Sequence, residues 1–226
     1  MTDRPPSAPA VRAGQAEDCG ELARLVMMSD SSFLPFLFGD RLETALQQML
    51  ARPRNLFSFE HTRVIEVNGQ VAGVLLGYSY EQMRSEALPT GLLWLRSLGF
   101  SLLRRLPELL RVGFASARTA PARKTRDSSG NSRWLSPAEF YVSNMAVKPE
   151  FRRIGLGRRL LVDAIARARE LGCRQVALDV DARSAAAIAL YTSLGFVREE
   201  HDLKVMGRFE FRRMSRGTLD LRLERT

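Results

Sequence analysis

The sequence is poor in cysteine and histidine and has no long hydrophobic run. Its 226 residues include two cysteines and two histidines. Cys19 and Cys173 have no His or Cys neighbours at metal-ligand spacing, so neither a disulfide framework nor a metal site is expected, and both are predicted to be buried thiols. No uncharged apolar run approaches the roughly 18 residues of a membrane-spanning helix. Residues 1–14 lack the apolar stretch of a signal peptide, so we expect a cytoplasmic protein.

The positive charge is unevenly distributed. The formal net charge is +9, and residues 84–133 contain ten Lys or Arg against Glu86, Glu108 and Asp127. A basic segment favours anionic partners, such as the phosphates of a cofactor, acidic substrates, lipid head groups or nucleic acid. The charge alone does not choose among these classes.

The N-terminal third changes from a polar leader to an ordered pattern. Residues 1–14 are rich in Pro, Ala and Ser and are predicted to be a disordered leader, whereas 15–226 are predicted to be a single domain. Apolar residues at helical spacing follow Asp18 and Asp40, which predicts two amphipathic helices. The dipeptide Asn68-Gly69 is a strong hairpin signal. It separates two predicted antiparallel strands, at 56–67 and 71–80.

Residues 82–136 differ from the rest of the chain and are predicted to be a basic helical insert followed by a mobile loop. Leucines recur at helical spacing over 92–110 among several arginines, and Pro107 predicts a break or kink. Residues 117–132 lack large apolar side chains, which is typical of a mobile loop. The number of leucines suggests burial on the domain, on a second subunit or on a lipid surface.

The C-terminal third alternates between strand and helix patterns. This alternation predicts a mixed α/β sheet with parallel pairing in its centre. The strands are expected at 140–147, 175–180, 196–205 and 208–214, and the helices at 157–171 and 184–194.

A glycine-spaced turn connects the first of these strands to its helix. The first N–H groups of a helix have no partner within it and point outward at the positive end of the helix dipole. Gly155 and Gly157 leave room for a phosphate to reach these donors, so the turn suits a pyrophosphate. A dinucleotide fingerprint would have a third glycine where Leu160 stands, and a P-loop would contain Gly-Lys-Ser/Thr. A plain turn with solvated arginines is the alternative.

Two motifs resemble the GCN5-related N-acetyltransferases (GNAT). Arg152-Arg153-Ile154-Gly155-Leu156-Gly157 is similar to the Arg/Gln-x-x-Gly-x-Gly/Ala signature of the family, and 187–196 is similar to its Ala-x-x-Leu-Tyr-x-x-x-Gly-Phe segment. The match is clear over 139–200 and weaker over 16–80, and 82–136 have no counterpart. The resemblance implies a mixed, mostly antiparallel sheet with a central parallel strand pair, flanked by helices.

The same resemblance implies acetyl-CoA, or another acyl-CoA, as cosubstrate. Ser184 stands where many members have Asn, and its hydroxyl is expected to cap the helix and reach the cosubstrate. The residues implied to bind the cosubstrate are Met145, Ala146, Val147, Arg152, Arg153, Ile154, Gly155, Leu156, Gly157, Arg158, Ser184 and Tyr191.

The implied reaction is direct attack of a primary amine on the thioester through a tetrahedral intermediate. A backbone N–H near Val147 is expected to stabilise the oxyanion. Tyr191 is similar in position to the tyrosine that protonates the departing thiolate; packing of Tyr191 against the sheet is the alternative. Glu139 is the candidate general base, and an exposed strand-end charge is the other interpretation. His61 and His201 lie in polar runs and are predicted to be solvated.

Two other functions remain open at this stage. One is a non-catalytic acyl-CoA-binding domain, and the other is a basic protein that associates with membranes or nucleic acid through 82–136. For the enzyme, the acceptor is expected to be an amine on a small molecule or a peptide. Residues 82–136 are expected to form a lid or a homodimer contact in preference to a peripheral membrane contact, and nucleic acid is not expected as a partner.

Overall fold

The fold comes from a computed structural model, which describes residues 8–30, 33–98, 136–205 and 209–219. Within these ranges one sheet contains the strands β1 (Ala10–Ala13), β2 (Thr62–Val67), β3 (Gln70–Ser79), β4 (Glu139–Val147), β5 (Gln175–Asp181), β6 (Val197–Val205) and β7 (Phe209–Gly217). The helices are α1 (Cys19–Ser29), α2 (Phe33–Phe38), α3 (Leu42–Leu50), α4 (Tyr80–Leu98), α5 (Leu156–Glu170) and α6 (Ala185–Ser193).

The order of strands across the sheet is β1-β2-β3-β4-β5-β7-β6. Strands β4 and β5 are parallel, and every other neighbouring pair is antiparallel. The parallel pair is connected by α5, which supplies the crossover that parallel strands require. The predicted mixed sheet with a central parallel pair and flanking helices is confirmed.

The two faces of the sheet form separate cores because side chains alternate along each strand. Ile65 and Leu75 point to one face, where they pack with the apolar stripe of α5. Their neighbours Val64 and Val74 point to the other face and pack with α1 and α3. Burial of an aliphatic side chain of this size contributes about 1.5–3 kcal/mol. The two cores therefore hold helices on both sides of the central strands.

The predicted disordered leader is wrong for its last residues. Strand β1 pairs with β2 along its whole length, from Ala10 opposite Glu66 to Ala13 opposite Arg63. Arg12 forms ion pairs with Asp18 at 2.6 Å and with Glu66 at 2.7 Å. This strand is not recognisable in the sequence because four residues are too few to show a hydrophobic period.

The hairpin signal is confirmed, but the preceding strand is shorter than predicted. Asn68 and Gly69 adopt φ values of 52° and 76°, as a tight hairpin turn requires. Strand β2 begins only at Thr62, and turns and a short 3-10 helix occupy 56–61. The Ser58 hydroxyl accepts a hydrogen bond from the Glu60 N–H, which caps the short helix. The aromatic residues in 56–61 are common in strands, which is why the sequence predicts a strand there.

Helix α4 begins directly at the end of β3 and is continuous past Pro89. Its Trp94 ring stacks on Phe38, with centroids 3.9 Å apart. On another part of the helix surface three leucines are exposed: Leu88, Leu92 and Leu95. The predicted break at Pro107 and the mobile loop at 117–132 lie outside the described residues. The contact of this insert with a second subunit or a membrane stays a prediction.

Two predictions about polar and thiol side chains have different outcomes. The expected solvated position of His61 is wrong: this histidine is buried, and its Nε2 lies 2.7 Å from the Glu86 carboxylate of α4. Cys19 and Cys173 are buried free thiols, as predicted. The side chain of His201 lies outside the described part of the structure. Among the described helices none has the length and apolar character needed to cross a membrane.

Candidate active site

A cleft opens where the two parallel strands separate. Strands β4 and β5 pair only from Glu139 opposite Gln175 to Val142 opposite Leu178. Beyond these residues β4 continues along β3, whereas β5 continues along β7. The pairing of β3 with β4 shifts register at Ser143, so β4 contains one extra residue, a β-bulge that bends the strand. The resulting cleft has a volume of about 770 Å³.

The predicted pyrophosphate turn forms one wall of this cleft. Gly155 adopts φ 85° as the N-cap of α5, a conformation that favours glycine. The first turn of α5 therefore directs its unpaired N–H groups at the cleft, which Gly155, Gly157 and Arg158 all line. Arg152 donates from Nε to the carbonyl oxygen of Val147 at 2.9 Å and so ties the turn to the end of β4. This wall can hold an anion.

The backbone of β4 supplies further donors. The N–H of Lys148 donates to the carbonyl oxygen of Ala72 in β3 at 2.9 Å. Because backbone groups alternate in direction along a strand, the N–H groups of Met145 and Val147 point away from β3 and into the cleft. An extended ligand can therefore pair with β4 in the place that β5 has vacated. The N–H of Val147 points into this space, and its role as the oxyanion donor stays a prediction.

Tyr191 lies on α6 and lines the cleft. Its ring packs beside Phe196 at a centroid distance of 5.9 Å, and the side chain is buried. Burial raises the pKa of the Tyr191 phenol to about 12, because a phenolate would lose its hydration there. The phenol therefore stays protonated at neutral pH, which is the state that a proton donor needs.

Ser184 is the N-cap residue of α6 and also lines the cleft. Its carbonyl oxygen accepts the first helical hydrogen bond, from Ile188, but its hydroxyl does not cap the helix. The predicted capping role of the hydroxyl is therefore wrong. The hydroxyl is left available to a ligand.

The structure brings together nearly all of the residues predicted to bind the cosubstrate. The cleft is lined by every one of them except Ile154, whose side chain is 60% exposed outside it. Glu139 is also not brought to the cleft. It lies at the start of β4, is only 6% exposed, and its carboxylate accepts hydrogen bonds from Ser136 N–H and Arg213. The alternative interpretation of Glu139 as an exposed charge is wrong too.

Three carboxylates line the cleft, those of Asp30, Asp179 and Asp181. Asp179 directly follows the last β5 residue that pairs with β4, and it is not among the site residues predicted from the sequence. Its side chain is 9% exposed, and its Oδ2 accepts hydrogen bonds from the Tyr141 hydroxyl at 3.0 Å and from Arg213 Nη1 at 3.1 Å. Asp179 interrupts an apolar strand that pairs in parallel at the sheet centre. An acidic residue at such a position costs free energy unless it has a function or a partner, and this signal was available in the sequence.

The C-terminal end of α1, with Asp30 directly after it, borders the cleft from the other side of the sheet. Met28, Ser29 and Asp30 line the cleft there. Asn144 of β4 donates from Nδ2 to the Ser29 hydroxyl at 2.8 Å, which fixes the end of α1 to the bulged strand. The cleft is therefore bordered by an anion-binding turn on one side of the sheet and by α1 on the other. Among the described residues no group of three or more His, Cys, Asp or Glu is arranged to hold a metal ion.

Comparison with known proteins gives the same assignment as the motifs. The model of the acetyltransferase (GNAT) family matches residues 108–196. The ribosomal protein bS18-alanine N-acetyltransferase of Escherichia coli (strain K12) is 51% identical over 58 residues, which are 26% of this chain and 39% of that protein. The matched segments span only 19% to 39% of the length of such curated relatives.

Solved structures share the fold over most of the chain. The N-acetyltransferase from Staphylococcus aureus Mu50 has a TM-score of 0.62 at 20% identity, covering 92% of this chain and 100% of that one. A Salmonella typhimurium acetyltransferase with its cofactor acetyl-CoA has a TM-score of 0.52 at 18% identity, covering 95% and 96%. At these identities the likeness shows the fold. The family model adds that residues 108–196 are similar to the GNAT acetyltransferases.

Proposed function

We propose that this chain transfers an acyl group, with acetyl as the expected one, from acyl-CoA to a primary amine. The observation that carries the proposal is a single cleft containing a helix N-terminus, a protonated buried phenol and a carboxylate: the start of α5, Tyr191 and Asp179. These are the groups that such a reaction requires, namely an anion site, a proton donor and a proton acceptor. Acetyl-CoA bound to the Salmonella relative supports the choice of cosubstrate.

The cosubstrate is proposed to lie between the separated strands. Its pyrophosphate contacts the first turn of α5, and its extended arm pairs with the free backbone groups of β4. The N–H of Val147 donates to the thioester oxygen, where negative charge develops during attack. Ser184 offers a hydroxyl at the opposite wall.

The acceptor is proposed to arrive as an ammonium ion. Asp179 and Glu139 share one guanidinium, that of Arg213, and the Glu199 carboxylate lies 3.9 Å from the Nε of the same arginine, so the formal charge of this cluster is negative. An ammonium ion compensates that charge. It loses a proton to Asp179, which passes this proton on to solvent, and the amine lone pair then attacks the thioester carbonyl carbon.

Tyr191 completes the reaction. As the C–S bond breaks, the thiolate takes the phenol proton, and the resulting phenolate regains a proton from the nitrogen that has become positively charged. The products are an amide and free CoA thiol, and the net release is one proton. Asp179 replaces Glu139 as the proposed base because, of these two carboxylates, only that of Asp179 lines the cleft. Of the other carboxylates in the cleft, Asp181 pairs with Arg183, and Asp30 accepts a hydrogen bond from the N–H of Leu34.

An acceptor panel with acetyl-CoA tests this function. Small amines, amino acids and peptides with free N-termini are assayed for thiol release and for the mass of the amide product; the alanine N-acetyltransferase relative makes peptide N-termini the first choice. We expect acceptor-dependent thiol release that falls at least tenfold in Asp179→Asn but not in Asp163→Asn, whose carboxylate pairs with Arg63 outside the cleft. Binding of acetyl-CoA without thiol release for any acceptor would instead indicate a non-catalytic acyl-CoA-binding domain.

A further inference from the structure

Arg213 is a buried arginine with no assigned role in the proposed reaction. It lies in the middle of β7, directly opposite Asp179 of β5 in the antiparallel register. Its side chain is only 3% exposed. A buried guanidinium costs several kcal/mol of desolvation unless carboxylates and hydrogen bonds compensate it. The contacts of Arg213 are therefore informative about why the chain keeps a charge at this position.

The guanidinium uses two different nitrogens for two carboxylates. Nη1 donates to Asp179 Oδ2 at 3.1 Å, and Nη2 donates to Glu139 Oε2 at 3.2 Å. Its Nε lies 3.9 Å from the Glu199 carboxylate, and its central carbon lies 5.3 Å from the ring centre of Tyr141. Glu139 therefore fixes the position of Nη2 in the planar guanidinium, and Nη1 of the same group is directed at Asp179.

Within the part of the chain that the structure describes, both hydrogen bonds from side chains to Asp179 go to one of its two carboxylate oxygens. The Tyr141 hydroxyl and Arg213 Nη1 both donate to the same carboxylate oxygen, Oδ2. The second oxygen, Oδ1, is therefore the one left for a proton or a hydrogen bond from an acceptor in the cleft. Burial raises the pKa of the Tyr141 phenol well above 10, so this phenol remains a hydrogen-bond donor throughout the neutral range.

We propose that Arg213 is a positioning residue for acyl transfer, which orients the Asp179 carboxylate towards the cleft, and that Glu139 acts through Arg213 as the anchor of the guanidinium. This inference rests on the proposed function, in which Asp179 accepts the proton of the acceptor amine. The position of a proton acceptor affects mainly the rate of the chemical step, because a small displacement of a reacting group lowers that rate strongly. Binding of acyl-CoA at the α5 turn does not involve Arg213.

The test separates turnover from binding in three variants. Arg213→Lys keeps the positive charge but cannot bind two carboxylates through separate nitrogens. Arg213→Met removes the positive charge. Glu139→Gln removes the negative charge that holds the guanidinium, with little change in side-chain shape. Acetyl-CoA affinity is measured by calorimetry, and kcat and KM are measured with the acceptor found in the panel. We expect kcat to fall about tenfold in Glu139→Gln and further in Arg213→Met. The kcat of Arg213→Lys is expected to lie between those of the parent and Arg213→Met. The Kd for acetyl-CoA stays within about twofold of the parent.

A matched control removes a similar ion pair elsewhere. Arg63 forms a two-pronged pair with Asp163, at 2.7 and 2.8 Å, that joins β2 to α5 away from the cleft. Arg63→Lys is expected to lower the melting temperature with kcat unchanged. Should Arg213→Met fail to fold, Glu139→Gln and Arg213→Lys decide the question.

The outcomes distinguish this inference from the proposed function. A parent protein that releases thiol, together with Glu139→Gln and Arg213→Lys variants whose kcat stays within about twofold of it, overturns the role of Arg213 alone. The same result follows if Arg63→Lys lowers kcat as strongly as Arg213→Lys, because the effect would then be one of general stability. A parent that releases no thiol with any acceptor overturns both proposals.

Discussion

Gly157 faces Leu190 across the cleft so closely that a Cβ atom at Gly157 would lie 3.1 Å from Leu190 Cδ2. This glycine thus allows the first turn of α5 to approach α6, the helix that carries Tyr191. The atom it would meet is the end of a flexible side chain, which can shift by a few tenths of an ångström. A larger residue at 157 is therefore expected to fill the cleft without preventing folding.

The Gly157→Glu variant is expected to lose acetyl-CoA binding while remaining folded. A carboxylate in the first turn of α5 occupies the proposed pyrophosphate site and repels the phosphates, but it interacts favourably with the helix dipole. The control is Gly91→Glu in the middle of α4, where an added Cβ meets nothing within 4 Å. Calorimetry measures the affinity of each variant. Binding by Gly157→Glu within about tenfold of the parent, or ~1.4 kcal/mol, would exclude the pyrophosphate assignment.

The Tyr191→Phe variant is expected to keep its affinity for acetyl-CoA and lose turnover. The hydroxyl is the only group removed, and loss of a positioned general acid typically lowers the rate about 10²- to 10⁴-fold. Tyr80→Phe is the control, since Tyr80 lies at the start of α4 and does not line the cleft. An unchanged kcat in Tyr191→Phe would leave Tyr191 as a residue that packs against Phe196.

The site could be predicted from sequence where its geometry follows from local chain direction. In the turn from Val147 to Gly157 the donors proposed to bind phosphate are backbone N–H groups. Two glycines next to a helix start are therefore sufficient to predict this turn from the sequence. Asp179 and Arg213 are 34 residues apart and meet only because β5 and β7 pair in register. No local pattern indicates such a pair. The sequence therefore points to Glu139, because β4 contains no other carboxylate.

The fold shows the same division between local and long-range information. The hairpin at Asn68 contains its own turn residues, and the helix after Asp18 contains its own apolar period, so both were predicted. Strand β1 depends on pairing with β2, more than 40 residues later, and was missed. His61 was misjudged because its partner Glu86 lies on α4, which has no place in the family pattern.

Alkaline pH is expected to destabilise the fold through its buried tyrosines. Burial raises the pKa of Tyr78 and of Tyr191 to about 12, and that of Tyr141 well above 10. Below pH 10 these phenols are neutral in both the folded and unfolded chain, so stability is unaffected. Between about pH 10 and pH 12 only the unfolded chain ionises, which costs roughly 3 kcal/mol for each shift of two pKa units.

Tyrosinate absorbance and circular dichroism recorded together test this expectation. Three of the four tyrosines should ionise only as the ellipticity is lost. The Tyr191→Phe and Tyr78→Phe variants should each show a weaker loss of stability between pH 10 and pH 12. Ionisation of three tyrosines in a chain that retains its ellipticity would contradict their burial.

Helix α4 is expected to contribute to stability through Trp94 and not through its leucine face. The Trp94 ring lies 3.9 Å from Phe38 in a parallel stack and 5.3 Å from Phe57 edge-on, which ties α4 to α2 and to the segment before β2. Complete loss of a buried Trp costs about 3–5 kcal/mol, and Trp94 is half-buried, so Trp94→Ala should cost about 2 kcal/mol. Leu92→Ala should change stability by no more than about 0.5 kcal/mol, because Leu92 is 59% exposed.

Urea unfolding at two protein concentrations measures both variants. For a monomeric contact between α4 and α2, the Trp94→Ala midpoint falls, the Leu92→Ala midpoint stays at the parent value, and neither depends on concentration. A parent midpoint that rises with protein concentration and loses this dependence in Leu92→Ala would show that the leucine face is buried in a homodimer, because association stabilises a folded chain by mass action. In that case the exposed fraction of Leu92 describes the isolated chain only, and α4 stabilises the fold from both of its faces.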